Sequence, residues 1–278
     1  MIAPVYHPRN LRLVRSVQFL LARLASRDGQ INARAAPFDL VLRGPAADCI
    51  TRHIYRWGSH EPHITRYLLE HVRLGPEDIA FDVGANIGWF SLVLHRLSSP
   101  GARIFAFEPD PATYELLTRN LATNGATNVT ALNCALGEEA GVAILHRYKQ
   151  SNNGRHTLLA SNFSGGTTVS VPVEPLKDFW VRQQLGSRPI RYLKIDVEGF
   201  EFHVLRGAGD LLGRCACIHL EYSPDAFIAA GIQAEQILDL LVSARLEAQA
   251  FQGDALVPIS YSELAAARSQ LDLILLPR

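Results

Sequence analysis

From residue 79 onward the apolar and polar positions change period in a regular way. "IAFDVG" (79–84) is an apolar run of strand length, and "IGWFSLVLHRL" (87–97) carries apolar residues at helical spacing. "ARIFAFEP" (102–109) and "ATYELLTRNLATNG" (112–125) repeat the pair, the helix closing on Asn124-Gly125. "NVTALNCALG" (128–137) is a third strand with its loop. Strands alternating with helices at this spacing predict a parallel sheet with right-handed crossovers. "VAILHRY" (142–148) and "TTVSVPVEPL" (167–176) then alternate like antiparallel strands around the polar loop "KQSNNGRHTLLASNFSGG". "IRYLKIDVEG" (190–199) resumes the parallel sheet and "CACIHLEYSP" (215–224) continues it. A helix, "AEQILDLLVSARL" (234–246), and two strands, "AQAFQGD" (248–254) and "QLDLILLP" (270–277), complete the pattern.

The chain before this pattern reads differently. Residues 1–75 are expected to form an N-terminal helical extension, and 76–278 the main domain, in which 142–176 is an antiparallel insertion with its polar loop. "FDLVLRG" (38–44) fits a short strand, and residues 50–78 fit helices broken at Gly58 and Pro62. Leu11, Val14, Val17, Leu21 and Leu24 share a helical face, with Arg12, Arg15, Arg23 and Arg27 among the rest. Such a helix suits a membrane surface or the cover of its own domain or a partner subunit. Cover is the expectation, and it leaves a homodimer through this extension open. The run "VQFLLA", stopped by Arg23, is too short for a membrane span or a signal sequence.

Composition narrows the class. Of 278 residues 48% are hydrophobic and 19% charged, which suits a globular α/β chain. The formal net charge is zero, so no field draws the chain to nucleic acid or to an anionic membrane. Cys49, Cys134, Cys215 and Cys217 match neither a zinc spacing nor a disulfide scaffold, which points to the reducing cytoplasm.

The chemistry gathers at strand ends. In "FDVGANIGWF", Gly84 and Gly88 let the backbone approach a ligand, and the helix that follows offers free N–H groups. The G-x-x-x-G spacing differs from the dinucleotide fingerprint. Asp82 suits a cationic or amino-bearing ligand. Glu108, ending "FAFEP", can accept both hydroxyls of a ribose. An adenosine with an amino-acid tail and a sulfonium centre, S-adenosylmethionine, meets all three demands.

The runs "FDVGANIGWFS", "FAFEPDPATYELLTRNLATNG", "NCALG", "LKIDVEGFEFHVLRGA" and "LEY", with "WGSHEP" upstream, resemble the FkbM-type methyltransferase family over residues 50–222. The resemblance implies a class I methyltransferase fold, Rossmann-like, with a seven-stranded sheet that is mostly parallel and has one antiparallel edge strand. It implies that Asp82, Gly84, Asn86 and Gly88 surround the methionine part of S-adenosylmethionine and that Glu108 holds the ribose. It places Asn133, Cys134 and Ala135 by the adenine, and Glu61 in "SHEP" would close over the cofactor. The acceptor it implies is a hydroxyl on a sugar, glycan, glycolipid or secondary metabolite. The text Leu176-Lys177-Asp178 departs from the family's usual Leu-Asp.

In "YLKIDVEG" Lys194 and Asp196 share a strand face that the sheet should bury, so they must be paired or reach the open carboxyl edge. Methyl transfer to a hydroxyl needs alignment and removal of a proton. Asp196 is expected to be the base, with Lys194 setting its charge and Glu198 orienting the substrate. Glu221, ending the next strand, should lie beside it. Asp196, Glu198 and Glu221 also have the oxygen chemistry of a Mg2+ site, so a metal-held route stays open. Asn152, Asn153 and His156 in the polar loop are the candidate acceptor contacts. His53, His60 and His63 read as surface or entry-segment residues, and Glu201 as the partner of an arginine. Two other classes compete: a nucleotide-sugar or NAD-dependent enzyme on a related sheet, and a non-catalytic module that keeps the cofactor site.

Overall fold

A computed structural model describes residues 9–35, 38–148, 156–159 and 166–278. Helix α1 (Arg9–Ala25) precedes a hairpin of β1 (Gln30–Ala35) and β2 (Leu40–Pro45), then α2 (Cys49–Trp57) and α3 (Pro62–His71). The alternating region follows as β3 (Ile79–Val83), α4 (Trp89–Arg96), β4 (Arg103–Phe107), α5 (Pro111–Thr123) and β5 (Val129–Leu132). Next come β6 (Ala135–Leu136), β7 (Gly141–Tyr148), β8 (Gly166–Glu174), α6 (Leu176–Arg182), β9 (Ile190–Ile195), α7 (Glu201–Ala208) and β10 (Ile218–Tyr222). The chain ends with α8 (Pro224–Ala229), α9 (Ala234–Ser243), β11 (Leu246–Gln252), β12 (Ala255–Pro258), α10 (Tyr261–Ala266) and β13 (Leu271–Pro277).

The main sheet has the order β12-β11-β13-β10-β9-β3-β4-β5. From β3 the chain winds outward through β4 to β5, and it then returns to the other side of β3 as β9 and β10. All four pairings among β4, β3, β9, β10 and β5 are parallel. The winding therefore reverses between β3 and β9, and the crevice at their carboxyl ends is where such sheets bind ligands. The expected α/β class holds. The sheet has eight strands rather than seven, because a turn at Gly253 and Asp254 adds the short β12 to β11. The antiparallel β13 lies inside, between β10 and β11, rather than at the edge.

Alternation along each strand sends side chains into two cores. Phe81, Val83, Phe105, Phe107, Leu193 and Ile195 pack on one face, against α6, α7 and α9. Ala80, Ile104, Ala106 and Tyr192 face the other, against α3, α4 and α5. Asp82, Lys194 and Asp196 share the parity of this second set.

Residues before 76 are not all helical. β1 and β2 pair antiparallel, and β1 was hidden in "QINARA", whose inward residues after Gln30 are only Ile31, Ala33 and Ala35. Leu40, Leu42, Ile54 and Ile64 join the second core, so this segment is built into the domain's packing. Two asparagines one helical turn apart, Asn120 on α5 and Asn124 at its C-cap, hold the hairpin. Asn120 Oδ1 accepts the Arg43 N–H at 2.8 Å, while its Nδ2 donates to Arg43 O at 3.0 Å and Ile87 O at 2.8 Å. Asn124 does the same for Val41, at 2.9 Å and 2.8 Å. These amides pair with β2 as a neighbouring strand would. Asn120 also ties β2 to the loop after β3. Asn120→Ala should lower unfolding free energy by about 2–3 kcal/mol, since buried groups of Arg43 and Ile87 lose partners. Equilibrium urea unfolding measures this, and a change below about 0.5 kcal/mol would contradict it.

Candidate active site

A cavity of about 390 Å³ opens at the carboxyl ends of β3, β4, β9 and β10. Its walls include Gly84, Asn86, Glu108, Lys194, Asp196 and Glu221. The size falls in the range of roughly 300–1,000 Å³ usual for small-molecule sites.

Register explains the charged strand. Asp82 and Lys194 are Cα partners across β3 and β9, so both side chains project to the same face. Lys194 is 1% exposed. Its Nζ donates to Asp196 Oδ2 at 2.7 Å and to Gly84 O at 3.4 Å, and it stands 4.0 Å from Asp82 Oδ1. It also lies 5.3 Å from the centre of the Phe90 ring, where an ammonium is attracted to the π face. Burial opposes its charge, but Asp196, Asp82 and Glu61 outweigh that and hold the ammonium above its ordinary pKa. Asp82 is fully buried and takes the Ser91 hydroxyl at 2.5 Å. It does not line the cavity; it stands behind the wall and supports Lys194. Asp196 lines the cavity with its side chain 24% exposed.

The glycine loop has a demanding geometry. Gly84 adopts φ +80°, and a Cβ there would lie 1.8 Å from the Asp196 carbonyl oxygen. Its absent side chain therefore lets the ends of β3 and β9 touch. Gly88, φ +94°, starts α4 and packs toward Leu117 rather than lining the cavity. Glu108 is 6% exposed. Its Oε2 accepts the Asn86 N–H and its Oε1 the Asp110 N–H, each at 2.9 Å. Burial is the larger influence and pushes the carboxyl up to about 8.

Cys134 and Ala135 also line the cavity. Burial raises the Cys134 thiol to about 12, which suits a packing residue. Asn133 does not reach the cavity: its amide donates to the carbonyls of Glu108 and Pro109, both at 2.9 Å. It fixes the strand end that carries Glu108.

Glu61 does line the cavity. It precedes α3 at φ 42° and pairs with His60 at 3.3 Å. Burial opposes its charge, yet His60 and Lys194 bring the carboxyl down to about 2. Thr65 holds the segment, donating to His60 O at 2.9 Å and accepting from the Trp89 indole at 3.1 Å. Six non-glycine residues among those described have positive φ, and three of them, Glu61, Asn86 and Glu198, line this cavity. Left-handed backbone at such residues costs on the order of 1–3 kcal/mol each and clusters at functional sites.

His156 and Leu158 of the polar loop form part of the wall. Thr157 anchors them, exchanging backbone hydrogen bonds with His146 and donating its hydroxyl to Glu198 O at 2.8 Å. Burial lowers the His156 ring below its ordinary value, so it is neutral near pH 7. Asn152 and Asn153 lie outside the described residues. The helix expected before Gly58 forms as α2, but sequence reasoning missed that it supplies Cys49, Arg52 and His53 to the wall, and it took His53 and His60 for surface or entry-segment residues. Burial, followed by His60 nearby, lowers His53 to about 4. The available signal was helical spacing: Cys49, Arg52 and His53 fall on one side of α2. His63 instead pairs with Asp272 at 3.0 Å. Glu201 pairs with no arginine among the described residues; it is buried and accepts the N–H groups of Val197 and Gly199 at 3.1 and 3.0 Å, shaping the turn after β9.

The donors give the magnesium expectation no support. Leu220 pairs with Ile195, which sets Glu221 beside Asp196. Burial, then Asp196 and Glu198, push Glu221 up to about 11, so it is protonated near neutral pH. Gln270 hydrogen-bonds its Oε1. Asp196 already holds an ammonium, and no group of three or more acidic, histidine or cysteine residues gathers for a metal among the described residues. Asp196, Glu198 and Glu221 line one cavity without gathering as a metal-ligand group among the described residues.

Lys194→Met would strand Asp82 in the core without its counter-charge. It should cost about 3–5 kcal/mol in guanidinium unfolding. Asp82→Asn in the same chain should recover part of the loss, giving a coupling above about 1 kcal/mol. Additive effects would show that the two residues are not a unit.

The family profile "Methyltransferase FkbM domain" matches residues 82–251. Over 156 residues the chain is 36% identical to "Methyltransferase sdnD" of Sordaria araneosa, covering 46% of this chain and 60% of that protein. It is 33% identical over 171 residues to "31-O-demethyl-FK506 methyltransferase FkbM" of Streptomyces tacrolimicus, covering 52% and 64%. It is 29% identical over 189 residues to "Hexuronic acid methyltransferase AglP" of Haloferax volcanii, covering 68% and 71%. The matches to the first two thus span less than two thirds of those proteins' own length. The profile takes in Asp82, the glycine loop, Glu108, Lys194, Asp196 and Glu221, over more than half of the chain, and the chain belongs to the FkbM methyltransferase family.

Proposed function

We propose that the protein is an S-adenosylmethionine-dependent O-methyltransferase acting on a hydroxyl of a sugar, glycan, glycolipid or secondary metabolite. One observation carries this reading. A ribose-type acceptor, Glu108, and an acid–base pair, Lys194 and Asp196, line a single cavity at the reversal between β3 and β9. The names of two relatives, which give 31-O-demethyl-FK506 and hexuronic acid, support a hydroxyl-bearing acceptor.

The residues present fit S-adenosylmethionine. Each Glu108 oxygen uses one lone pair on a backbone N–H and keeps capacity for a ribose hydroxyl. Cys134, Ala135 and Leu136 offer a largely apolar wall for the adenine. Glu61 and Asp196 offer anionic groups for the amino and sulfonium charges. Bound there, S-adenosylmethionine supplies the methyl group and the leaving group.

The chain's own task is to align the acceptor and take its proton. Lys194 holds Asp196 through Oδ2, and Asp196 Oδ1 has no hydrogen-bond partner among the described residues and can take the hydroxyl proton. Protonated Glu221 beside it can donate to an acceptor oxygen. His156 and Leu158 cover the opening on the loop side and limit water.

Titration calorimetry with S-adenosylhomocysteine and with NAD tests the cofactor. S-adenosylhomocysteine should bind and NAD should not; the reverse would end this reading. Glu108→Gln should weaken binding roughly 10–100-fold, the loss of charge-assisted hydrogen bonds. Ribose hydroxyls favour the ionised carboxylate, so affinity should rise with pH up to about 8 and flatten above it, and Glu108→Gln should remove that rise.

A tritiated-methyl assay over hydroxylated metabolites and glycans tests the chemistry. Asp196→Ala should lower turnover by about 10²–10⁴-fold while S-adenosylhomocysteine still binds. Turnover should be unchanged after chelator treatment. Undiminished transfer in Asp196→Ala would remove the base.

A further inference from the structure

Helix α1 docks on the domain through one face and presents a second apolar face to solvent. The docked face is small: Phe19, 7% exposed, meets Tyr55 edge-on with ring centres 5.6 Å apart, and Ser16 accepts from Arg56 Nε at 3.0 Å. Opposite it, Leu13, Val17, Leu20 and Leu24 recur at i, i+4, i+7 and i+11 and are 77%, 54%, 53% and 75% exposed. Exposed Val14 and Leu21 widen the stripe. No other helix leaves so continuous an apolar row uncovered among the described residues.

Charge identifies the occupant. The sequence carries Arg9, Arg12, Arg15, Arg23 and Arg27 before its first acid, Asp28. Among the described residues Arg15, Arg23 and Arg27 form no ion pair. The zero net charge of the chain therefore conceals a local block of positive charge beside an apolar stripe. A second copy fits this poorly: a two-fold contact through the stripe would bring arginine blocks together with no acid in the helix to answer them. An anionic bilayer answers both features, taking the leucines into the acyl boundary and the arginines at the headgroups.

We infer that α1 docks the protein on anionic membrane surfaces, lying in the interface plane without crossing the bilayer. No helix is long and apolar enough to cross a membrane among the described residues. Because α1 rests on α2, whose Cys49, Arg52 and His53 line the cavity, docking holds that cavity wall close to the membrane. The inference is independent of the methyl-transfer reading, since its readout is binding to lipid.

Vesicle flotation of the full chain tests it, with vesicles of phosphatidylcholine alone and of phosphatidylcholine with phosphatidylglycerol. The protein should float with the mixed vesicles, weakly with the neutral ones, and less as salt rises. Leu13→Glu, Leu20→Glu and Leu24→Glu together should abolish flotation with an unchanged thermal midpoint, because these side chains are mostly exposed and join no core cluster among the described residues. Arg23→Gln with Arg27→Gln should weaken binding about 25-fold, from about fivefold per basic residue. Failure to float with mixed vesicles, or retention by the leucine variant, overturns the inference. So does equal binding to neutral vesicles. A dimer in sedimentation equilibrium that the leucine variant dissolves, without lipid binding, assigns the face to a second copy instead.

Discussion

An ammonium locked between two carboxylates under the ends of β3 and β9 sets the terms for this site. Removing each charge from water costs several kcal/mol, and the pairing offsets that only if the geometry is kept. Lys194 therefore constrains its surroundings. Asp82 must face it across the strand register, the Gly84 carbonyl must approach it, and Asp196 must bend back to meet it. Gly84 follows from the same constraint, since any side chain there would collide with the Asp196 carbonyl. The loop glycine that reads as a ligand cradle is first a condition for joining two strand ends.

From that joint the strained residues radiate. Asn86 turns left-handed so that its N–H reaches Glu108. Glu198 turns left-handed so that buried Glu201 can gather the N–H groups of Val197 and Gly199. Glu61 turns left-handed where α3 begins, under the hold of Thr65 and Trp89. Each conformation is unfavourable alone and is kept by a buried neighbour, so the cavity wall is preorganised before a ligand arrives.

Much of this was legible in the chain. The strands "IAFDVG", "ARIFAFEP" and "IRYLKIDVEG" formed near their expected bounds because long apolar runs between helices leave little choice of period. The cavity gathered Gly84, Asn86, Glu108, Asp196, Glu198 and Glu221 because strand ends at a winding reversal must meet. What local pattern does not encode was missed. β1 pairs with β2 through alanines, and β2 is held on its other side by asparagine amides of α5 and its C-cap that read as ordinary helix surface. Asp82 and Asn133 have ligand-like chemistry, but their polar atoms serve Lys194, Ser91 and the Glu108 strand end. The α2 wall depends on tertiary docking, which spacing alone does not announce.

The central claim is that the β3–β9 joint presents one ligand to Glu108 on one side and to Asp196 on the other. A crystal structure with S-adenosylhomocysteine measures this most directly. The account predicts the ribose hydroxyls on the Glu108 carboxylate and the sulfur on the Asp196 side of the cavity. A ligand seated elsewhere, or a ribose turned away from Glu108, would contradict it.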